Sequence, residues 1–262
     1  MFRILLTRRW LVLTLVFLAL IPAMIWLGSW QYHRYQQTNV SNALTDANLR
    51  ARAVAMETLS QPDGAVPQSE TYRTVTATGH FDPAHQFVVR HRTDASGDTI
   101  GFYLVTPLIT DSGKAVLVNR GWIAPGNTSG TAFPVVPSTP TSEITVTGRL
   151  RPDETTALTG IRNPGGMPDR QFMLINSQEQ AKRLAEPVLA GYLELTGSSP
   201  ALPAAAQAEA VPNPNDSSNG GMAVVGKGVH LPYAIQWWLF AALIPIAWWF
   251  LFRREAKQTR KA

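Results

Sequence analysis

Two long apolar stretches near opposite ends of the chain dominate its hydrophobic pattern. Residues 10 to 30 and residues 233 to 252 contain no formally charged side chain. At about 1.5 Å per residue, roughly twenty helical residues cover the ~30 Å hydrocarbon core of a bilayer. The pattern therefore predicts two transmembrane helices, at residues 10 to 30 and at residues 230 to 252.

The first stretch could also be a cleaved signal peptide. Its apolar run is longer than the h-region of such a peptide, about 7 to 15 residues, and bulky aromatics stand where a small-residue cleavage site is needed. We therefore expect an uncleaved helix. In the second stretch, Pro245 predicts a neighbouring helix, because another group must satisfy the carbonyl that a proline leaves free.

Basic side chains lie outside both stretches. Arg8 and Arg9 precede the first, and Arg253 and Arg254 follow the second. Because Lys and Arg concentrate on the cytoplasmic side, both basic tails, residues 1 to 9 and 253 to 262, are expected in the cytoplasm. The chain is then a multi-pass cell-membrane protein whose large loop is extracytoplasmic.

The overall charge follows from this topology. Residues 1 to 30 and 233 to 262 carry a net charge of +7, whereas residues 31 to 232 carry −2, which together give the formal +5. The basic pI of about 9.7 thus belongs to the membrane flanks, and it predicts contact with a lipid bilayer and no nucleic-acid partner.

Between the helices the hydrophobic period changes to two, which is typical of half-buried strands. Seven short runs rich in aliphatic and aromatic residues are separated by Gly, Pro, Asp and Ser turns: YRTVTATGHF, QFVVRHR, GFYLVTPLI, AVLVNRGW, EITVTGRL, QFMLIN and VLAGYLEL. With few helical patterns among them, they predict an antiparallel sheet or small barrel. The fold class is an α+β membrane protein with two transmembrane helices flanking this extracytoplasmic β-rich domain.

The β-rich domain is expected to span residues 31 to 197. Its first part, residues 33 to 57, has apolar residues near helical spacing and predicts a helical stalk. Ser177 and Gln180 predict a capping box for one internal helix. Residues 198 to 229 are rich in Pro, Ala, Asn, Ser and Gly, so we expect a flexible linker there.

The residue types exclude several functions. The chain contains no cysteine, which rules out thiol redox exchange, a thiol copper site and a Cys-based hydrolase. It also lacks the GxSxG, P-loop, HExxH and GxGxxG motifs. We therefore expect no enzyme activity, and an extracytoplasmic hydrolase is the least favoured of three function classes.

Two residues are candidates for chemistry. Arg120 ends a strongly apolar run, and a buried Arg needs a partner. That partner could be a structural carboxylate or carbonyl, or the propionate or phosphate of a ligand. His230 stands at the mouth of the second helix, where a neutral imidazole could bind a metal or haem iron, or could be an ordinary interfacial histidine.

Ordered motifs along the chain resemble those of the Surfeit locus protein 1 family of cytochrome c oxidase assembly factors. The matching segments are LGSWQYHR from residue 27, YRTVTATGHF from 72, VTPL from 105, VLVNRGW from 116, VTGRL from 146 and HLPYAIQW from 230. They run from residue 27 to residue 237 in the order of the family. Two features depart from it: Val229 stands where a polar residue is common, and the Ala/Pro-rich stretch of residues 198 to 222 is specific to this chain.

The resemblance implies a chaperone of respiratory-chain biogenesis that aids delivery of haem a into the catalytic subunit of cytochrome c oxidase. It implies that subunit as partner, with the haem a synthesis machinery as a possible second one, and haem a as a transient cofactor. Carried onto this chain, it makes His230 the axial ligand of the iron. The remaining cofactor-binding candidates are Trp30, Tyr233 and Trp237 against the macrocycle and Arg34 or Arg120 at the propionates. The alternative is a membrane-tethered scaffold that holds the nascent oxidase subunit without binding haem.

Overall fold

The protein is described here as a computed structural model that covers residues 7–126, 132–214 and 229–258. It divides into two compact units. One contains the described residues up to Asn42 together with the C-terminal helix, and the other begins at Ala43. The α-helices are α1 (Arg8–Arg50), α2 (Thr156–Thr159), α3 (Ser177–Gln180) and α4 (His230–Gln258).

The second unit is built on eight strands. They are β1 (Val54–Ala55), β2 (Thr74–Phe81), β3 (Phe87–Thr93), β4 (Ile100–Thr110), β5 (Ala115–Ile123), β6 (Ile144–Arg151), β7 (Gln171–Phe172) and β8 (Tyr192–Ser199). Their order in the sheet is β1-β2-β6-β8-β5-β4-β3-β7, with an additional pairing of β2 with β4.

That additional pairing closes a barrel. β2 joins β6, β6 joins β8, β8 joins β5, β5 joins β4, and β4 returns to β2 through Gly79, His80 and Phe81. Every ring pairing is antiparallel except that of β5 with β8. β3 and β7 extend the sheet beyond β4. The predicted fold class, two apolar helices flanking a β-rich domain, is confirmed.

β5 is the central strand, and all nine of its residues are buried. Val116 and Val118 point into the barrel core, which also contains Val75, Leu108 and Leu193. The alternate residues belong to a second core on the outer face of the barrel: Ala115 and Leu117, with Phe87, Val89, Val105, Ile175 and Tyr192. The unbroken apolar run at this position therefore reflects burial on both faces of the strand.

Two motif glycines make the ring possible. At Gly79, where β2 meets β4, an added Cβ would lie 2.0 Å from the carbonyl oxygen of Ile109. At Gly148, beside a bulge between β6 and β8, it would lie 2.1 Å from the carbonyl oxygen of Glu194. Real Cβ atoms do not come that close to backbone, so a side chain at either position would force the strands apart.

The predicted stalk, residues 33 to 57, is wrong at its far end, because residues 54 and 55 form β1 and residues 56 to 58 form a 3₁₀ turn. Up to Arg50 it is helical, since α1 continues to that residue without a break. Its last turns belong to the β-rich unit. There the buried Asn48 donates from its side chain to the carbonyl oxygens of Ser69 at 2.7 Å and Thr71 at 2.9 Å. These bonds hold the end of the helix on the segment that leads into β2.

The predicted capping box is wrong by one residue. The N-cap of α3 is Asn176, whose side chain accepts from the amide of Glu179 at 3.0 Å. Ser177 is the first helical residue, and its amide and hydroxyl instead donate to Asp153 at 2.6 and 2.7 Å. An Asn caps a helix as well as a Ser does. The Asp153 carboxylate that accepts the hydrogen bonds of Ser177 lies 24 residues away in the sequence, so the local pattern does not indicate it.

Two predicted strands differ in their bounds from the apolar runs that predicted them. In QFMLIN only Gln171 and Phe172 pair as a strand, while Ile175 turns inward to the second core. In VLAGYLEL the strand begins at Tyr192, because Gly191 adopts a φ of +74° and turns the chain. These runs are apolar because they are buried, whether or not they pair.

The first part of the predicted linker is not a free chain. β8 continues to Ser199, a 3₁₀ turn spans Ala204–Ala206, and Glu209 forms a backbone bridge with Trp122. We call residues 200 to 214 the strap. Residues 215 to 228 of the predicted linker lie outside the described residues.

α1 and α4 are each long and apolar enough to cross a membrane, judged by length and composition. Most of their apolar side chains are exposed, as lipid-facing residues would be: among those more than half exposed are Leu15, Leu18, Trp26, Ile235, Leu239 and Phe250. The two predicted transmembrane segments thus lie within two mostly uncovered helices, which is consistent with a membrane protein.

We expect Gly79→Ala to lower the free energy of unfolding of the β-rich unit by about 2 kcal/mol or more, because the added Cβ collides with the backbone of β4. The change can be measured from the loss of β-sheet circular dichroism on heating the detergent-purified protein. Gly197→Ala is the matched control, since this glycine also lies in a strand and an added Cβ there meets nothing within 4 Å. Equal stability of both variants would contradict the closure role of Gly79.

Candidate functional site

The helical unit is an antiparallel pair held along one stripe of each helix. The more buried positions on α1 alternate in steps of four and three: residues 10, 14, 17, 21, 24, 28, 31 and 35. On α4 they follow the same steps: residues 230, 234, 237, 241, 244 and 248. Alternating steps of four and three are the spacing of a coiled-coil seam. Along this seam α1 lies beside Pro245 of α4, as the sequence predicted.

One end of the seam is closed by aromatic rings. Trp248 stacks on Phe252 with centroids 5.6 Å apart, and Trp10 meets both rings edge-on. The indole nitrogen of Trp248 donates to Thr14 Oγ1 at 3.1 Å. Stacking and the hydrogen bond together leave this indole little freedom.

Toward the other end, a glycine brings the helices together. At Gly28 an added Cβ would lie 2.4 Å from the indole nitrogen of Trp238. The same indole packs against Tyr32, with ring centroids 5.8 Å apart. The glycine of the LGxWQxxR motif is therefore required by the tryptophan that lies on it, as small residues often are where membrane helices cross.

One turn farther along the seam, Gln31 and His230 form a hydrogen bond. Nδ1 of His230 lies 2.8 Å from Oε1 of Gln31, and both side chains are partly buried. An amide oxygen only accepts, so Nδ1 must donate and carry the proton. The lone pair of the neutral imidazole is then on Nε2, the atom that would ligate a metal.

The other predicted site residues of this unit lie on the same two helices as that pair. Trp30 carries the guanidinium of Arg34 5.9 Å from its ring centroid. Trp237 lies on the seam and meets Phe240 edge-on at 6.2 Å. Trp30 and Tyr233 are each 46% exposed. The structure thus brings His230 and Gln31 together and leaves the neighbouring rings open to the surroundings.

Sequence reasoning missed the roles of two residues here. Gln31 was noted only as part of the LGxWQxxR motif, and its hydrogen-bond partner His230 is 199 residues away in the sequence. Trp238 was overlooked in favour of Trp237. One feature of the sequence could have indicated the hydrogen bond. A polar motif residue, Gln31, directly follows the first predicted transmembrane segment, and another polar residue, His230, begins the second.

Arg120 lies in the β-rich unit and is 3% exposed. Its NH1 donates to Thr139 Oγ1 at 2.7 Å, and its NH2 donates to the carbonyl oxygens of Ser138 at 2.7 Å and Ala206 at 2.6 Å. Burial lowers its pKa to about 10, which leaves the guanidinium charged at neutral pH. These partners are those of the structural alternative. They engage both terminal nitrogens, whereas the buried Nε has no hydrogen-bond partner.

The rest of the NRGW motif holds the same strap. Gly121 has a φ of +130°, and a Cβ on it would lie 2.2 Å from the carbonyl oxygen of Glu209. Trp122 exchanges both backbone hydrogen bonds with Glu209, at 2.7 and 2.9 Å. Its indole nitrogen donates to the carbonyl oxygen of Arg92 at 2.8 Å. The motif therefore fastens residues 206 to 209 over β5.

A buried charge network that the sequence did not reveal holds the strap farther along. Glu194 is 3% exposed and pairs with Arg149 at 3.2 Å and with Arg151 at 2.8 Å. Arg149 also donates to the carbonyl oxygen of Val211 at 2.9 Å. The two arginines are two apart on β6 and so share one face of the strand, which was the signal available.

No group of three or more His, Asp or Glu side chains suited to a metal ion occurs among the described residues. Within the described residues, a bound metal would therefore find at most two such side chains and would need further ligands, for example from its own carrier. A haem supplies four such ligands of its own and needs the protein only at an axial position.

Comparison with known proteins agrees with these motifs. A family model described as the SURF1 family matches residues 18–242. The chain belongs to the SURF1 family. The resemblance drawn from the sequence motifs is thereby confirmed.

Three relatives show the range of similarity. An uncharacterized SURF1-like protein of Mycobacterium bovis is 29% identical over 260 residues, which cover 96% of this chain and 86% of the relative. A SURF1-like protein of Rickettsia bellii is 32% identical over 104 residues, 40% of each chain. The cytochrome oxidase assembly protein SHY1 of Saccharomyces cerevisiae is 32% identical over 100 residues, 38% of this chain and 25% of the relative.

We expect Gly28→Leu to separate the helices at the Gln31 layer, because the added side chain displaces Trp238. The chain has no cysteine, so Gln31→Cys with His230→Cys can be linked selectively by a short bismaleimide, and Gly28→Leu should lower the yield several-fold. Ala23→Leu is the control, since Ala23 is exposed on the same helix. Equal yields would show that Gly28 does not set the helix approach.

Gly121→Ala should release the strap, because its Cβ meets the backbone of Glu209. We expect hydrogen exchange of the amides from 206 to 211 to accelerate about tenfold or more, which can be followed by mass spectrometry. Gly126→Ala serves as the comparison: Gly126 also has a positive φ, of 64°, but no neighbour within 4 Å. Unchanged exchange in Gly121→Ala would disprove the fastening role.

Proposed function

We propose that this protein is an integral membrane assembly factor for cytochrome c oxidase that receives haem a at His230 and passes it to the catalytic subunit. The observation that supports the proposal best is the hydrogen bond from His230 Nδ1 to Gln31 Oε1 at 2.8 Å. Family membership and the printed function of the yeast relative, cytochrome oxidase assembly, support the biological setting.

The bond to Gln31 prepares His230 to bind iron. It fixes the tautomer and restricts the orientation of the ring, which is what second-shell partners of metal-binding histidines do. An axial imidazole is a common haem ligand. When bound, haem a supplies the redox-active iron, and this chain supplies Nε2 of one imidazole.

The exposed rings near His230 suit the macrocycle of a haem. Trp30 and Tyr233 each expose nearly half of their surface, and flat aromatic faces pack well on a porphyrin. Arg34 lies over Trp30 and is the basic group of this unit best placed to meet a propionate. We leave Arg120 out of the proposed haem site, because the strap and its surroundings engage its NH1 and NH2.

An open site suits transfer. His230 is only partly buried and its neighbouring rings face outward, so a partner can approach the bound group from the uncovered side. The catalytic subunit of the oxidase is the proposed acceptor, and the enzymes of haem a synthesis are the proposed donors.

The membrane topology is also a proposal. The basic residues at the outer ends of α1 and α4, such as Arg8, Arg9, Arg253 and Arg254, favour a cytoplasmic location for both ends. His230 begins α4, and Gln31 directly follows the first predicted transmembrane segment, residues 10 to 30. Both therefore lie at the extracytoplasmic surface of the cell membrane. The β-rich unit is then extracytoplasmic as well.

A scaffold without haem is the second candidate, and one observation favours it. Ala19, Ala23 and Ala242 are exposed and lie away from the seam. Small residues on a lipid-facing surface allow a further helix to pack closely. These alanines could receive a helix of the nascent oxidase subunit while His230 takes no part.

We expect His230→Ala to abolish the Soret band of protein purified in detergent after co-expression with the enzymes of haem a synthesis. Gln31→Leu should lower haem affinity about tenfold, because loss of a second-shell partner usually costs 10-fold to 100-fold in metal affinity. His33→Ala is the control: His33 is exposed and its ring is hydrogen-bonded to the carbonyl oxygen of Ser29.

The same preparations separate the two candidates. A Soret band that persists in His230→Ala, or that falls equally in His33→Ala, would reject His230 as ligand. Recovery of the oxidase subunit with His230→Ala, together with a full complement of haem in that subunit, would favour the scaffold.

A further inference from the structure

A cavity of about 210 Å³ lies between α1 and α4, two heptads along the seam from Gln31 and His230. It is lined by Thr14, Phe17, Leu18, Ile21, Ile244, Pro245 and Trp248. All of these residues belong to the predicted transmembrane segments. No motif of the sequence pointed to this cavity, and the proposed iron ligation does not use it.

The lining is hydrocarbon and aromatic. Thr14 carries the hydroxyl of this wall, and that hydroxyl accepts the hydrogen bond of the Trp248 indole at 3.1 Å. A cavity that offers no free polar group does not hold ordered water and takes apolar guests. Its ligand is therefore a hydrocarbon group.

The same contacts hold the cavity open. Trp248 is the largest side chain of the wall, and it is fixed by Thr14 and by stacking on Phe252. It therefore cannot turn inward and fill the space. Pro245, three residues before Trp248 on α4, has no backbone N–H and adds a rigid ring to the wall. An unfilled space of this kind loses dispersion contacts that a guest would restore.

The position of the cavity relates it to His230. Both lie on the seam stripe, and Gln31 is ten residues from Ile21 on α1. At 1.5 Å per residue, the near wall of the cavity is about 15 Å from the Gln31 layer along the helix axis. A ligand whose polar head lies at His230 could reach the cavity with one long apolar substituent.

We propose that this cavity is the subsite for the isoprenoid tail of the haem, so that it selects farnesylated haems over haem b. The inference rests on the function proposed above. A farnesyl chain is long, branched and without polar atoms beyond its first carbon, and the cavity supplies apolar walls at the required depth. An acyl chain of a membrane lipid shares this chemistry and is the competing occupant.

Haem o and haem b test the subsite, because haem o carries the hydroxyethylfarnesyl chain where haem b has a vinyl group. Each is titrated into the detergent-purified full chain and its affinity is measured from the Soret difference spectrum. We expect the wild type to bind haem o about tenfold more tightly. Leu18→Trp should remove that preference without changing haem b affinity, since Leu18 is 59% exposed at the mouth of the cavity.

Leu20→Trp is the matched control. Leu20 is on the same helix, is also exposed, and does not line the cavity. It should leave both affinities unchanged. A second variant, Phe17→Ala, enlarges the cavity and should keep the preference for haem o.

The outcomes distinguish the two proposals. Equal affinity of the wild type for both haems, or equal effects of Leu18→Trp and Leu20→Trp, would overturn the subsite while haem binding at His230 stands. Bound phospholipid that haem o fails to displace would also overturn it and assign the cavity to lipid. Failure of the wild type to bind either haem would instead overturn the proposed function itself.

Discussion

The β-rich unit depends on backbone approaches that only glycine allows. A ring of five short strands must curve sharply, and each sharp turn brings a strand against the carbonyls of its neighbour. Gly79 and Gly148 remove the Cβ atoms that would prevent this, and Gly121 does the same for the strap. The apolar residues of β2, β5 and β6 can enclose a common core only because these contacts close.

Closure of the barrel leaves β5 buried on both faces, and this burial determines which groups can act as partners of Arg120. A guanidinium at the end of such a strand cannot reach water, so it must be satisfied by the protein. The strap supplies a carbonyl oxygen from Ala206, and residues 138 and 139 supply the other acceptors. The Arg149 and Glu194 pair repeats the arrangement at Val211. Both buried charges therefore bind the strap, and the domain gains a fixed covering without disulfides.

Much of this fold could be predicted, for identifiable reasons. Alternation in YRTVTATGHF marks a strand with one buried face, and the unbroken apolar run of AVLVNRGW marks one buried on both. The two transmembrane segments follow from length and charge alone. The strap could not be predicted, because its Pro and Ala residues have no period and are held by carbonyl oxygens, which every residue type possesses. The N-cap of α3 was misplaced since adjacent Asn176 and Ser177 are both good caps.

Of the candidate site, the sequence indicated His230, whose role as a ligand stays a prediction, but it did not indicate the long-range pairing of His230 with Gln31. His230 was identified through its motif, but a residue 199 positions away determines its tautomer. Nothing local to His230 indicates that partner, since helix register is set by the whole seam. Only a glycine at position 28 leaves room for Trp238. Farther along the seam, a hydrogen bond from Trp248 to Thr14 joins the two helices. The register between α1 and α4 therefore determines which residue lies beside His230, and no single motif indicates that register.

The chemical nature of the hydrogen-bond partner of His230 would influence whether the proposed haem is retained or passed on. In the proposed haem site, a carboxylate accepting from Nδ1 would make the imidazole more electron-rich and strengthen its hold on iron, whereas the neutral amide of Gln31 would orient the ring with less of that effect. In the described chain no second cluster of ligating side chains stands nearby. In the proposed function, one oriented imidazole at an open surface suits a haem that is bound briefly and released. The apolar cavity deeper in the seam would then contribute selectivity where the iron ligand contributes little.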